Sequence, residues 1–344
     1  MRTRIFLSLG VAASAALAAC GGSAPATGGE VNVYSHRHYE SDEALFRRFT
    51  EETGIKVNVV TASADELITR LENEGDASPA DMLITVDAGR LHRAREKGLL
   101  QPVRSEVLDA NVPAALRDPE GYWYGLTKRA RVLVYDTSRV RAGEIKGYED
   151  LADARWRGKV LVRSSGNVYN QSLLASLVAS MGEEGAERWA AAVVQNMARQ
   201  PSGADTDQAK AVAAGVGDVA IVNTYYVARL KASEDAEERR IGERLAVIFP
   251  EQEGRGTHVN VSGAGITKSS KNRANALKLL EFLSGEEAQR AFTDVVFEYP
   301  VNPRVEPAAL LKAMGEFRED TLNLSRLGEL NAPAVKIFDR VGWR

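Results

Sequence analysis

From Val31 onward the chain alternates short apolar segments with amphipathic helical ones, and this alternation limits the fold more than any other feature. VNVYS reads as a strand, and SDEALFRRFTEETG follows as a helix with Ser41 as N-cap, Leu45, Phe46 and Phe49 on one face, and Gly54 as its stop. IKVNVV alternates as a second strand, and Ser63 with Glu66 predicts a capping box ahead of Leu67, Ile68 and Leu71, with Gly75 ending the helix. DMLITV suits a strand buried on both faces, followed by the polar-faced helix AGRLHRAREKG. Strand–helix repetition of this kind predicts an α/β protein with a largely parallel sheet.

The second half repeats the pattern. LTKRARVLVYD is a long extended stretch, GYEDLADARWRGKVLVRSS a short helix feeding a strand, NQSLLASLVASMGEEGAERWAAAVVQN one or two helices, GDVAIVN a buried strand and YYVARLKAS a helix. GTHVNVSGAGI reads as a second long strand, returning to the first lobe, and NRANALKLLEFLSGEEAQRAF as helical. With 344 residues, 44% of them hydrophobic, two lobes are expected, residues 30–127 with 257–303 and residues 128–256 with 304–344. Two extended crossovers would make them a hinged clamp of the kind that closes on ligands.

The opening residues 1–29 read as a secretory leader and tether: Arg2 and Arg4, an apolar stretch too short for a span, then small residues. Leu17-Ala18-Ala19-Cys20 resembles the bacterial lipobox, which implies that Cys20, the one cysteine of the chain, carries lipid; the alternative is a plain cleavable leader. The expected location is the periplasm or outer face of the envelope, anchored to a membrane through lipid only. A net charge of −3 and a pI near 6.0, with basic and acidic residues interspersed, set nucleic acid aside as a partner.

AIVNTYYVARL places Tyr225 and Tyr226 side by side where a strand passes into a helix. Neighbouring side chains diverge in either regular element, but the irregular turn between them can aim both phenols into one crevice, and in α/β folds ligands bind at the carboxyl ends of strands. Tyr39, preceded by His36 and His38, and Tyr169 also follow strands and precede or open helices. Clustered phenols are neutral at pH 7, so a tyrosine-lined sugar or peptide site fits; a hard trivalent cation fits as well, because a metal ion can strip the phenolic proton. Three phenolates would neutralise Fe³⁺ and a fourth would call for a nearby cation, with Arg129 and Arg131, on one face of TKRARV, as candidates.

These residues resemble the ferric-ion-binding proteins of bacterial ABC iron importers, periplasmic binding proteins of two-lobe, type II-like fold, in the branch that holds iron by several tyrosines without a companion anion. The likeness runs through YSHRHY, ADELI, SPADMLITVD, TKRARV, YEDLAD, RSSGNVYNQSLLASL, NTYY, EGRGTHVNVSG and EYPV. It implies that Tyr39, Tyr169, Tyr225 and Tyr226 bind iron, that Arg129 is an outer charge partner, and that His38 lies at the metal, relatives differing in whether that position coordinates. It further implies Fe³⁺ as transported ligand, an ABC permease as partner and a monomer. Relatives that use an anion complete the site with an acid of the first lobe; TASADELITRL shows no equivalent.

The remaining aromatics and histidines have plainer readings. Tyr122, Trp123 and Tyr124 fit packing, with a cleft wall as the alternative, Tyr299 fits packing, His36 a structural turn or a place behind the ligands, His92 a solvated helix face and His258 a hydrogen bond at the hinge. Past the leader no cysteine remains for thiolate sites, and HExxH, phosphate-loop and GxSxG patterns are missing. A hydrolase would have to use Ser164 or Ser165, which lack a base nearby in sequence, so no enzyme is expected. The competing binding reading is a clamp for an organic solute or oxyanion with tyrosine walls; a ferrous site, with His38 and protonated tyrosines, is a narrower one.

Overall fold

The computed structural model describes residues 28–37, 39–141 and 143–344, so Cys20 and His38 lie outside the described residues. The first half builds β1 (Glu30–Ser35), α1 (Glu40–Thr53), β2 (Lys56–Thr61), α2 (Ala64–Glu74), β3 (Met82–Thr85), α3 (Ala88–Glu96), α4 (Glu106–Asn111) and the 13-residue β4 (Tyr124–Asp136). Then come β5 (Val160–Leu161), α5 (Val168–Asn196), α6 (Asp205–Ala213), β6 (Val219–Asn223), α7 (Thr224–Ala232), α8 (Ala236–Arg244), β7 (Leu245–Ile248) and β8 (Val259–Ile266). The chain closes with α9 (Arg273–Ser284), α10 (Glu286–Val296), β9 (Tyr299–Pro300), α11 (Ala309–Ala313), α12 (Ser325–Glu329) and α13 (Asn331–Val341).

Local signals place many of these boundaries. Ser63 and Glu66 form the expected capping box, Gly54 ends α1 in the left-handed region at φ 70°, and Gly75 ends α2. Helix α1 begins earlier than expected: its N-cap is Tyr39, in extended conformation, and Ser41 lies inside the first turn, buried. Glu40, Asp42 and Glu43 follow at once, and acids there favour the positive end of the helix dipole, which extends the helix toward Tyr39. The GYEDLADARW segment forms two single 3₁₀ turns, Glu149–Ala152 and Ala154–Trp156, where a short helix was expected. Helix α5 spans 29 residues but breaks at Gly182, whose φ of 73° and ψ of 169° are readily available to glycine.

The sheet is mixed, which corrects the expectation of a largely parallel one. Its order is β2-β1-β3-β8-β4-β6-β5, with β7 and β9 also paired to β4. The outer pairs β1–β2, β1–β3 and β5–β6 are parallel, as strand–helix–strand units require, whereas β8 runs antiparallel to both β3 and β4, and β6 antiparallel to β4. The two crossover strands thus enter the middle of the sheet against the run of their neighbours. Strand β4 changes partner halfway: Ala130 is opposite Val259 of β8, and Arg131 opposite Asn223 of β6. This is the two-lobe α/β fold with two crossovers expected above.

Both faces of β4 and β6 are covered. Val132, Val134, Ala220 and Val222 enter one apolar cluster, and the alternate residues Leu133, Tyr135, Val219 and Ile221 another. That explains the continuous apolar runs, and full burial of each valine, leucine or isoleucine stabilises by roughly 1.5–3 kcal/mol. Burial also overturns the reading of His92. It is only 7% exposed because α12 lies across α3, and a Cβ on Gly328 would come within 2.5 Å of the His92 Cβ and Cδ2. Trp123, Tyr124 and Tyr299 are buried packing residues, as expected.

Replacing Gly328 with alanine forces α12 off His92, and a loss of about 1–3 kcal/mol is expected. A thermal melt matching the wild type would show that the helices do not meet this closely. His258, buried beside the partner change of β4, has its pKa lowered to about 3, first by burial and then by Arg255, Arg131 and Arg129. The unfolded chain therefore takes up this proton first. Stability from the neutral imidazole is complete above the ordinary value of 6.5 and falls progressively as pH drops toward 3. Acid denaturation curves of His258→Asn should be flatter than wild type across that window.

Candidate metal centre

Each of the four tyrosines stands at the beginning of a helix. Tyr39 is the residue before α1, Tyr169 is second in α5, and Tyr225 and Tyr226 are second and third in α7. Asn167 caps α5 by accepting the Tyr169 N–H at 3.2 Å. Strand β6 runs without a linker into α7, Asn223 ending one and Thr224 opening the other, so the adjacent phenols emerge from a tight junction.

The side chains converge. The hydroxyls of Tyr225 and Tyr169 lie 3.3 Å apart, and the Tyr225 and Tyr226 rings are 4.2 Å apart at 33°. Tyr39 joins through Arg229, whose guanidinium carbon is 5.0 Å from the Tyr39 ring and 5.0 Å from the Tyr225 ring. Arg37 lies 4.9 Å over Tyr39, and Arg129 and Arg131 lie 5.4 and 5.8 Å from the Tyr169 ring. The structure therefore brings Tyr39, Tyr169, Tyr225, Tyr226 and Arg129 together. His36 lies in a bend just past β1, its N–H donating to the Ile84 carbonyl at 2.9 Å.

Around Arg129 and Arg131, which the sequence pointed to, lie further charges that sequence reasoning missed: Glu298, Arg37, Asp42 and Asp205. Glu298 is buried; it accepts from Arg37 Nη1 at 2.7 Å and Thr127 Oγ1 at 2.6 Å, and Arg129 Nη1 stands 3.5 Å away. Burial would raise its pKa, but Arg37 and Arg129 prevail and hold it below the usual carboxylate range. Arg37 also forks onto Asp42 with two contacts of 2.9 Å. Arg131 is paired with Asp205 at 2.5 Å. Three buried guanidiniums, Arg37, Arg129 and Arg131, thus face three buried carboxylates, Asp42, Glu298 and Asp205. A signal for Glu298 was present: a single acid inside the apolar run VVFEYPV is costly to bury without such partners.

Burial is the largest effect on the phenols. It pushes the pKa of Tyr39, Tyr169 and Tyr226 up, and that of Tyr225 well up, with neighbouring tyrosines adding to the rise at Tyr225. Without a cation the four groups are neutral hydroxyls at pH 7. Among the described residues no cluster of three or more His, Cys, Asp or Glu is suited to a metal, and the side-chain oxygens that converge here are phenols. Such oxygens are hard anionic donors once deprotonated, and a trivalent cation supplies the charge that removes their protons.

A two-lobe α/β clamp whose polar side chains gather at strand ends defines a solute-binding protein. The chain belongs to the family of bacterial extracellular solute-binding proteins, whose family model matches residues 77–317. Within it, the chain is 49% identical to iron uptake protein A1 of Synechocystis over 353 aligned residues, covering 99% of this chain and 98% of that one. A Trichodesmium protein solved in complex with iron and citrate ligands superposes with a TM-score of 0.88 at 50% identity, over 92% of this chain and 100% of its own. The ferric binding protein from Campylobacter jejuni gives a TM-score of 0.88 at 44% identity, over 91% and 100%. These are binding and uptake proteins.

The raised phenol pKa values set the sign of an alkaline effect. The fold favours the protonated phenols, so their contribution is intact below the ordinary tyrosine value of about 10 and is lost as pH rises beyond it. In an ultraviolet titration of metal-free protein, phenol ionisation of the wild type should lag a Tyr169→Phe/Tyr225→Phe variant until the fold melts. Equal curves below the melt would mean that these hydroxyls are not buried together.

Proposed function

We propose that this protein is an extracytoplasmic substrate-binding protein that captures ferric iron through Tyr39, Tyr169, Tyr225 and Tyr226 and delivers it to an ABC importer. The carrying observation is the convergence of four phenols from three helix starts onto one place, backed by a charge-balanced set of buried arginines and carboxylates. Relatives named for iron uptake and ferric binding, similar over nearly the whole chain, support the same cargo. The two lobes, residues 30–127 with 257–303 and residues 128–256 with 304–344, would close on the ion. His38, next to Tyr39, would complete the shell, and Cys20 would hold the protein to a membrane through lipid. The protein performs no turnover and works as a monomer.

The chemistry is proton exchange for metal. Ferric iron takes phenolate oxygens and expels their protons; helix N-termini behind the tyrosines and the nearby Arg129 and Arg229 favour the anionic forms. Because metal-free phenols hold their protons at neutral pH, binding strengthens as pH rises and weakens as it falls, by about tenfold per pH unit for each proton released.

Titrating the mature protein with a chelated ferric salt should produce a phenolate charge-transfer band that saturates at one equivalent. Tyr225→Phe and Tyr226→Phe should each shift the band and weaken binding by at least the roughly 10–100-fold typical of losing even an outer partner. A protein that stays colourless, yet binds an organic solute in a manner sensitive to the same substitutions, would reverse the assignment of cargo.

A further inference from the structure

Arg129 and Arg131 stand on one face of β4, but their partners differ. Arg129 donates to Ser262 Oγ at 2.9 Å and to the Val86 carbonyl, all in the first half of the fold or on β8. Arg131, 2% exposed, reaches the other way. Its Nη1 donates to Asp205 Oδ2 at 2.5 Å and to Asn223 Oδ1 at 3.2 Å, and its Nη2 to Asn170 Oδ1 at 2.8 Å.

Those three partners share one property: each lies in, or just before, the first turn of a helix. Asn170 follows Tyr169 in the first turn of α5, and its Nδ2 donates to the carbonyls of Arg163 at 2.8 Å and Ser164 at 3.1 Å, pinning the turn before the helix. Asn223 is the N-cap of α7, just ahead of Thr224 and Tyr225. Asp205 is the first residue of α6 and also accepts the Asn223 N–H at 3.1 Å. One guanidinium therefore joins β4 to the starts of α5, α6 and α7, the first and last of which carry three of the four phenols.

The geometry points to Arg131, with Asp205 as its counter-charge, as a positioning residue that sets the spacing of Tyr169 against Tyr225 and Tyr226 for the bound ion. This rests on the ferric reading above. The charge of Arg131 is met directly by Asp205, so its function is its fork: three acceptors in fixed directions, which a lysine ammonium cannot reproduce. A ligand set held within about half an ångström by such a supporting shell is what separates tight from loose binding. Arg129, whose nearest carboxylate is 3.5 Å away, is left as the charge partner of the phenolates.

The test compares wild type with Arg131→Lys, which keeps the charge and loses the fork, and with Arg131→Met/Asp205→Asn, which removes both charges so that no lone buried ion remains. Each is loaded with ferric iron from a chelate and read by its charge-transfer band, its affinity and the thermal melt of the metal-free form. The expected result is a shifted or weakened band per iron and affinity lower by about 10–100-fold in both variants, whatever the melt does. Wild-type band and affinity in variants that melt lower would reduce Arg131 to a structural role and overturn the inference. A variant too unstable to load leaves the other to decide. If wild type itself shows no band, the ferric reading fails first and takes this role with it.

Discussion

The site depends on the partner change in β4. Up to Ala130 the strand is bonded to β8, and from Arg131 to β6, so the arginines at this changeover look into both halves of the molecule. Arg129 is tied to Val86 and Ser262 on one side and lies over Tyr169 on the other. Long buried side chains with fixed acceptors tie this changeover to the flanking helix starts on which the tyrosines sit.

Electrostatics then divides into two layers. In the outer one, Arg37, Arg129 and Arg131 are matched by Asp42, Glu298 and Asp205, so the burial of charge is compensated before any cargo arrives. In the inner one, the phenols are neutral because burial holds their protons, and only a strongly charged cation changes that. If these tyrosines hold the cargo as proposed, the arrangement would favour a hard trivalent ion, because a cation too weak to expel several phenolic protons would meet neutral hydroxyls.

Much of this was legible in the sequence wherever the cause was local. The capping box at Ser63 and Glu66, the stop at Gly54 and the position of each tyrosine at a strand end depend on residues within one turn of one another. What escaped depends on contacts across the chain. Glu298 is 261 residues from its partner Arg37, β8 inserts antiparallel between β3 and β4, and His92 is covered by a helix more than 200 residues later. Even the start of α1 shows the limit. Ser41 is a good N-cap by type, yet the helix opens at Glu40 with Tyr39 as its cap, which puts the phenol at the helix end rather than in a loop.

The central claim is that one ferric ion is met by phenol oxygens from Tyr39, Tyr169, Tyr225 and Tyr226 together. A crystal structure of the ferric-loaded protein, with anomalous data collected at the iron edge, tests it most directly. The account predicts one anomalous peak within bonding distance of all four phenol oxygens, with Arg129 outside the coordination shell. A peak bound by groups other than these tyrosines and His38, or iron held by fewer than all four of these tyrosines, would contradict it.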